Sequence, residues 1–265
     1  MKSPLDRPGQ HDKEMNMSEI TVHCLLRNEE KFVRQAIMSV LPIAQRVLVY
    51  DTGSTDATLD VVSSIDSDKI EIVQKKSSGS RDLTEYRNEM IEQTTTEWFM
   101  LVDGDEIYPA DSVRRIVDEM ERIPQNIHRI VVHRRHFVGS FNLISPVDGL
   151  GRIFRTSRIR IRKDYPYQTS CLRDNPSTPF NKFSMQFPED IFFFHCNYLV
   201  RSSKDAELGR FRGWRKPPFP VHPYLGPWPE TLELNGIAHR MTSKLFCAWM
   251  GMNARVLWLR RFRLI

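Results

Sequence analysis

From residue 20 to residue 110, short apolar runs alternate with stretches of helical periodicity, and few folds accept that alternation. Ile20 to Leu26, Arg46 to Tyr50, Lys69 to Val73 and Trp98 to Val102 read as strands. Between them, Phe32, Val33, Ala36, Ile37, Val40 and Leu41 recur at helical spacing, as do Leu59, Val62 and Ile65, and Thr84 to Thr94 reads as a third helix. Asn28, followed by Glu29 and Glu30, has the composition of an N-cap and acidic first turn. Strands and helices alternating at short intervals imply a parallel, doubly wound α/β sheet with helices on both faces.

Such a sheet puts every parallel strand's carboxyl end on one edge, where ligands bind in open α/β folds. Two of these ends carry acids. Tyr50 runs into Asp51-Thr52-Gly53-Ser54-Thr55-Asp56, and five apolar residues from Trp98 run into Asp103-Gly104-Asp105-Glu106. Carboxylates so placed can hold a divalent cation, and the cation a diphosphate. Gly104 would let the backbone turn without a side chain crowding the ligand. Chance alone supplies about one Asp-x-Asp triplet in a chain of this length, and a second one exists. Asp66-Ser67-Asp68 has no apolar run before it and reads as a solvated loop. An EF-hand is excluded, because Ile107 and Tyr108 stand where an oxygen ligand and a glycine are needed.

After Pro109, Asp111 can cap a helix to Ile123 with Val113, Ile116, Val117 and Met120 inside. Arg129 to Val138 reads as a strand, and Gly151 to Ile161 as two short strands around Thr156-Ser157. Residues 162–188 read as a long loop and Ile191 to Cys196 as a late strand with His195 near its end. On residue type alone, His195 is a core histidine bonded to backbone or a ligand. Lys216 to Pro229 carries six prolines and reads as an extended surface segment. The domain boundaries that follow are a flexible tail over 1–18, an α/β domain over 19–200 with halves at 19–110 and 111–200, and an irregular C-terminal extension over 201–265.

The net charge of +5 favours anionic partners. The four cysteines are scattered with no Cys-x-x-Cys pair, which disfavours a motif zinc site and fits a reducing compartment. The polar N-terminus lacks the apolar core of a signal peptide, and no 18-residue apolar span exists. These features point to a cytoplasmic protein. Between 241 and 265, dense apolar positions are interrupted by Lys244, Arg255, Arg260, Arg261 and Arg263. Two readings fit: a terminal helix packed on the domain, and a basic amphipathic helix making peripheral contact with the inner face of a membrane.

Taken together, these segments resemble family 2 glycosyltransferases of the GT-A fold, whose doubly wound sheet is mixed and mostly parallel. Ile20 to Glu30 is similar to their first strand and acidic turn, and Val49 to Thr58 to their nucleotide-binding signature. Tyr86-Arg87-Asn88 and Phe99 to Glu106 resemble the segments before and at their Asp-x-Asp motif. Gly151-Arg152-Ile153-Phe154-Arg155 resembles an Arg-Leu-Phe-Arg segment of bacterial sugar transferases, and His195 sits where such proteins have a late His.

The resemblance implies a nucleotide-sugar donor held by Leu26, Asn28, Glu29, Asp51, Arg87, Asp103 and Gly104, and Mn²⁺ or Mg²⁺ held by Asp105, Asp103 and His195. It also implies inversion at the anomeric carbon, with a carboxylate taking the acceptor's proton. Asp174, Glu189 and Asp190 are the candidates in the later half. Asp190 is favoured because it leads into the strand of His195, and Arg173-Asp174 stands where relatives have His-Glu. The Arg-x-x-Arg-Trp motif of processive synthases is absent, since Gly213 precedes Trp214, which implies transfer of a single sugar. The acceptor would be a saccharide or a lipid-linked precursor of a cell-envelope polysaccharide, and not nucleic acid. Two rival readings are a binding protein that kept the sheet and lost turnover, and a sugar nucleotidyltransferase. The latter lacks its Gly-rich loop here, because Arg27-Asn28-Glu29-Glu30 follows the first strand.

Overall fold

The computed structural model describes residues 20–76, 79–162, 169–177, 179–207, 220–224 and 226–232. The expected tail over 1–18 and the amphipathic segment over 241–265 lie outside the described residues. The first part runs β1 (Ile20–Leu26), α1 (Val33–Val40), β2 (Ala44–Asp51), α2 (Thr58–Ser63), β3 (Ile70–Gln74), α3 (Ser80–Glu92) and β4 (Trp98–Leu101). The second runs β5 (Glu106–Ile107), α4 (Ala110–Met120), β6 (Arg129–Val138), β7 (Leu143–Ile144), β8 (Asp148–Arg155), β9 (Ile159–Arg162), β10 (Thr169–Leu172), β11 (Ser184–Gln186), β12 (Phe192–Tyr198) and β13 (His222–Pro223).

The main sheet has the order β13-β7-β6-β8-β4-β1-β2-β3. Strands β3, β2, β1 and β4 are mutually parallel. β8 then runs antiparallel to both β4 and β6, so β6 points the same way as β4. β12 runs parallel to β6 and antiparallel to the short β5. The carboxyl ends of β1, β2, β4 and β12 therefore share one edge, and this is the property the site needs.

Alternation within β1 explains why both faces are covered. Ile20, Val22, Cys24 and Leu26 join one core with Val33 and Ile37 of α1 and Ile116 of α4. On the opposite face His23 stacks on Phe99 with ring centroids 4.7 Å apart. There Ile91 of α3 packs with Phe99, Leu101, Phe154 and the β9 residues Ile159 and Ile161. Burial pushes the His23 imidazole well below its usual pKa, with Arg87 adding to the effect, so the ring is neutral.

Three expectations change. Asn28 is not an N-cap, because α1 begins at Val33 and Asn28 adopts a left-handed φ of 57°. Residues 162–188 are not one loop, because β10 pairs with β9 and β11 with β6. Strands of three and four residues carry too little alternation to read from sequence. Asp111 likewise lies in the first turn of α4 behind Pro109 rather than at its cap. Cys24, Cys171 and Cys196 are buried free thiols. Among the described residues no helix is long and apolar enough to cross a membrane.

Candidate active site

Beyond β4 the chain makes one more sheet contact, Val102 N–H donating to the His23 carbonyl at 3.1 Å, and then turns. Glu106 N–H closes the turn on the Asp103 carbonyl at 3.0 Å. Gly104 is required here for close approach rather than for an open ligand path. A Cβ on Gly104 would stand 2.7 Å from Glu29 Cβ and 3.0 Å from Leu26 Cδ2. The loop after β4 thus lies directly on the loop after β1. Past the turn, β5 pairs with β12 in the register His195 opposite Glu106, and Cys196 N–H donates to the Asp105 carbonyl at 2.8 Å. That pairing brings His195 to Asp105: Nε2 is 3.4 Å from Oδ1.

Three guanidinium groups face the acids. Arg87 of α3 reaches Asp103 Oδ1 at 2.8 Å, and Arg152 of β8 reaches Asp103 Oδ2 at 2.9 Å. Arg152 also pairs with the fully buried Glu106. Arg201, just past β12, donates to Asp105 Oδ2 at 2.7 Å and lies 3.3 Å from Glu29 Oε1. The electrostatics follow from burial and these cations. Burial alone would raise Asp105, but Arg201 and then His195 hold its carboxyl well below the usual range. Desolvation of Asp103 is likewise outweighed by Arg152 and Arg87, and its pKa falls. For Glu106 burial wins over Arg152, and its pKa is pushed up to about 7. Four carboxylates against three guanidiniums leave the cluster net negative when all are ionised, which suits an added cation.

The loop after β2 is shaped by hydrogen bonds, those to the Asp51 carboxylate being charge-assisted. Asp51 Oδ2 accepts from Gly53 N–H at 3.1 Å and Ser54 N–H at 3.0 Å, and its Oδ1 accepts from the Ser54 hydroxyl. Asn28 Oδ1 accepts from Thr55 N–H at 2.7 Å and Asp56 N–H at 3.3 Å. The Leu26 carbonyl accepts from Thr52 Oγ1 at 2.9 Å. The loop after β12 is sewn to both. Lys31 N–H donates to the Arg201 carbonyl at 3.0 Å, Ser203 N–H to Glu30 Oε1 at 2.6 Å, and Ser202 Oγ to Asp56 Oδ2 at 2.5 Å. These bonds position Arg201.

Of the residues expected at the site, the structure brings together Leu26, Asn28, Glu29, Asp51, Arg87, Asp103, Gly104, Asp105 and His195. It does not bring Asp174, Glu189 or Asp190 to them. Asp190 precedes β12, and His195 lies midway along that strand. The extended chain from Phe192 to His195 already spans about 10 Å, and Asp190, in the turn before Phe192, pairs instead with Arg115 of α4. Glu189 is exposed beside it. Asp174 lies 3.4 Å from the exposed Arg158, past the β8 end that pairs with Trp98. All three stand at the amino edge of the sheet. Leading into a strand and standing further along it are different positions, and only the second reaches the site.

Sequence reasoning did not assign Arg152, Arg201 or Glu106. Arg152 lies inside the Arg-Ile-Phe-Arg segment, so a signal existed. Arg201 follows an apolar strand with no motif around it. Asp66 and Asp68 are exposed and precede β3, at the amino edge.

The donor set can be tested against a divalent cation. Asp105 Oδ1 and His195 Nε2 converge closely enough to ligate one ion, whereas Asp103, the third expected ligand, has its two carboxylate oxygens on Arg87 and Arg152 and is not placed as one. Among the described residues no group of three or more His, Cys, Asp or Glu is arranged to hold a metal. A protein contribution of two ligands, with oxygens from a bound phosphate completing the shell, is the arrangement Mg²⁺ commonly takes, and the imidazole favours Mn²⁺. The residues fit such an ion.

With this geometry in place, the comparisons give the class. Residues 21–201 match the family described as Glycosyl transferase family 2, which is more than half of the 265 residues, and the chain belongs to that family. Its mixed sheet with acid-bearing carboxyl ends is of the GT-A type. Over 97 residues the chain is 31% identical to the SPbeta prophage-derived glycosyltransferase SunS of Bacillus subtilis (strain 168). That alignment covers 37% of this chain and 22% of SunS, so less than a quarter of the relative's length is matched. Similar solved structures include S. aureus TarS with UDP-GlcNAc, at TM-score 0.47 and 14% identity over 67% of this chain and 58% of that one. Another is mannosyltransferase PcManGT from Pyrobaculum calidifontis with GDP-Man and Mn²⁺, at TM-score 0.45 and 12% identity over 72% and 60%.

Proposed function

We propose that this chain is a metal-dependent, inverting glycosyltransferase that moves one sugar from a nucleotide-sugar donor to a hydroxyl of a saccharide or lipid-linked acceptor. The observation that carries the reading is the meeting of Asp105 and His195 at the carboxyl edge of a family 2 sheet. The nucleotide lies against the loops Leu26–Glu29 and Asp51–Asp56, whose hydrogen bonds set their shape before the donor arrives. Asp51 serves by holding its turn as well as by offering a carboxylate. Arg87 and Arg152 fix Asp103 toward the donor, and Arg201 keeps Asp105 ionised. Held by Asp105 and His195, Mn²⁺ or Mg²⁺ would neutralise the departing nucleoside diphosphate. The acceptor's proton passes to a carboxylate at this edge rather than to Asp174, Glu189 or Asp190.

The test is a panel of nucleotide sugars with Mn²⁺, read as nucleoside diphosphate release. Release from at least one donor, lost in EDTA and restored by Mn²⁺, is expected. Undiminished release in EDTA would sink the metal role. Nucleotide binding without release would favour a binding protein that has lost turnover.

A further inference from the structure

Between α3 and the β9–β10 hairpin lies a cleft of about 480 Å³ that the donor site does not use. Its walls carry Arg81, Arg160, Arg162 and Arg173 against a single acid, Glu85. Arg173 is already committed to Glu92 at 2.8 Å and to the Ile159 carbonyl at 3.0 Å. Among the described residues Arg81, Arg160 and Arg162 form no ion pair, and all three are exposed. Four guanidiniums around one cleft repel each other, and the arrangement persists at low cost only where water or an anion screens them.

The cleft is also tied to the reaction site. Asn88 lines it and clamps β9 by donating to the Ile161 carbonyl at 3.0 Å and accepting from Ile161 N–H at 2.9 Å. The adjacent residue, Arg87, is the one that grips Asp103. α3 begins where the chain leaves the carboxyl end of β3, so the Arg81 end of the cleft opens at the donor edge.

We propose that this cleft binds a phosphate ester carried by the acceptor, so that the acceptor of the sugar is an anionic molecule. The inference rests on the glycosyltransferase reading of the neighbouring site. A guanidinium presents two parallel N–H donors matched to phosphate oxygens, and arginines without ion pairs can turn both toward one group. The cleft is larger than a lone ion needs and leaves room for the acceptor body beside its phosphate.

The experiment titrates the full chain with glycerol 3-phosphate, and separately with glycerol, by calorimetry at saturating UDP and Mn²⁺. Glycerol 3-phosphate should bind and glycerol should not. Arg81→Gln with Arg160→Gln should weaken glycerol 3-phosphate at least about tenfold, the size expected for lost charged hydrogen bonds. UDP affinity should stay unchanged, which also reports an intact fold. Arg160→Glu should weaken it further. Flotation with phosphatidylglycerol vesicles separates the sources. Arginine-dependent flotation marks a lipid-borne phosphate, and binding of glycerol 3-phosphate without flotation marks a soluble one. Equal affinity in the double variant, no binding at all, or competition between glycerol 3-phosphate and UDP would overturn the proposal. Failure of the parent protein to bind any of UDP, GDP, CDP or dTDP would instead count against the glycosyltransferase reading, leaving the anion cleft standing.

Discussion

Loops after β1 and β2 meet the side chains of β4, β8 and β12 at one sheet edge, yet the two regions are held by different chemistry. On the β1–β2 side, Asn28 and Thr52 bond to backbone groups of the facing loop and Asp51 to N–H groups of its own turn, while the buried Glu29 reaches across to Arg201. On the β4–β12 side, Asp103, Asp105 and Glu106 are balanced by arginines from positions 87, 152 and 201. The first region spends local hydrogen bonds to fix a shape. The second collects charge from far along the chain to fix a field. Shape formed locally tolerates loss of one bond, whereas a buried charge does not tolerate loss of its partner.

The sharpest way to break this contrast is Arg152→Ala. It strands Glu106, whose side chain is fully buried, and removes one of two arginines on Asp103. Breaking a buried pair in this way costs about 3–5 kcal/mol, and urea unfolding should show it. Replacing both partners, Arg152→Met with Glu106→Gln, should recover much of that loss. If Arg152→Ala unfolds at the parent's urea midpoint, the charged region is not load-sharing as described.

Asp105→Asn tests the same region through activity. The amide keeps the shape and removes the charge facing His195 and Arg201. Nucleoside diphosphate release should fall about 100- to 1000-fold, the usual cost of losing a preorganised electrostatic group. His195→Ala should lose less and recover in part at high Mn²⁺, because a metal with one protein ligand remaining still binds. Parent-like turnover of Asp105→Asn would remove the proposed metal site.

These two regions also differ in how far the sequence reveals them. Strand–helix alternation before residue 110 follows from periodicity, because each crossover is short and its ends are adjacent. The acids at Asp51 and Asp103 to Glu106 stand out because they end apolar runs. Arg201 does not stand out, because its role depends on a loop stitched by Ser202, Ser203 and Lys31 to residues far earlier in the chain. Asp190 misled for a related reason. Residue order shows that it adjoins the strand of His195, and only strand direction shows that it lies at the far end. Asn28 looked like a cap because its side chain is a cap's side chain. It instead caps the facing loop, accepting from Thr55 and Asp56 across 27 and 28 residues.

Gly104→Ala probes the seam between the regions. An added methyl would meet Glu29 Cβ at 2.7 Å and Glu29 Cγ at 2.8 Å. Glu29 would have to shift, and with it the contact to Arg201. Overpacking of this kind costs about 1–3 kcal/mol, and weaker nucleotide binding should accompany the stability loss. Unchanged nucleotide affinity in Gly104→Ala would show that the two loops move independently and that the seam is not part of the donor site.

The smallest effect is expected at the second Asp-x-Asp triplet, and its smallness carries information. Asp66 and Asp68 precede β3, while Asp103 and Asp105 follow β4, and these strands point the same way through β2 and β1. The same three-residue pattern therefore sits at opposite edges of one sheet. Asp68 is exposed and has no arginine ion pair among the described residues. Asp68→Asn should change stability by no more than about 0.5 kcal/mol, as surface substitutions do, and should leave Mn²⁺-dependent release at the parent's rate. A loss of metal dependence in Asp68→Asn would mean that a carboxylate at the amino edge takes part in the reaction. The link between strand direction and site position, on which the placement of Asp105 and His195 also rests, would then fail.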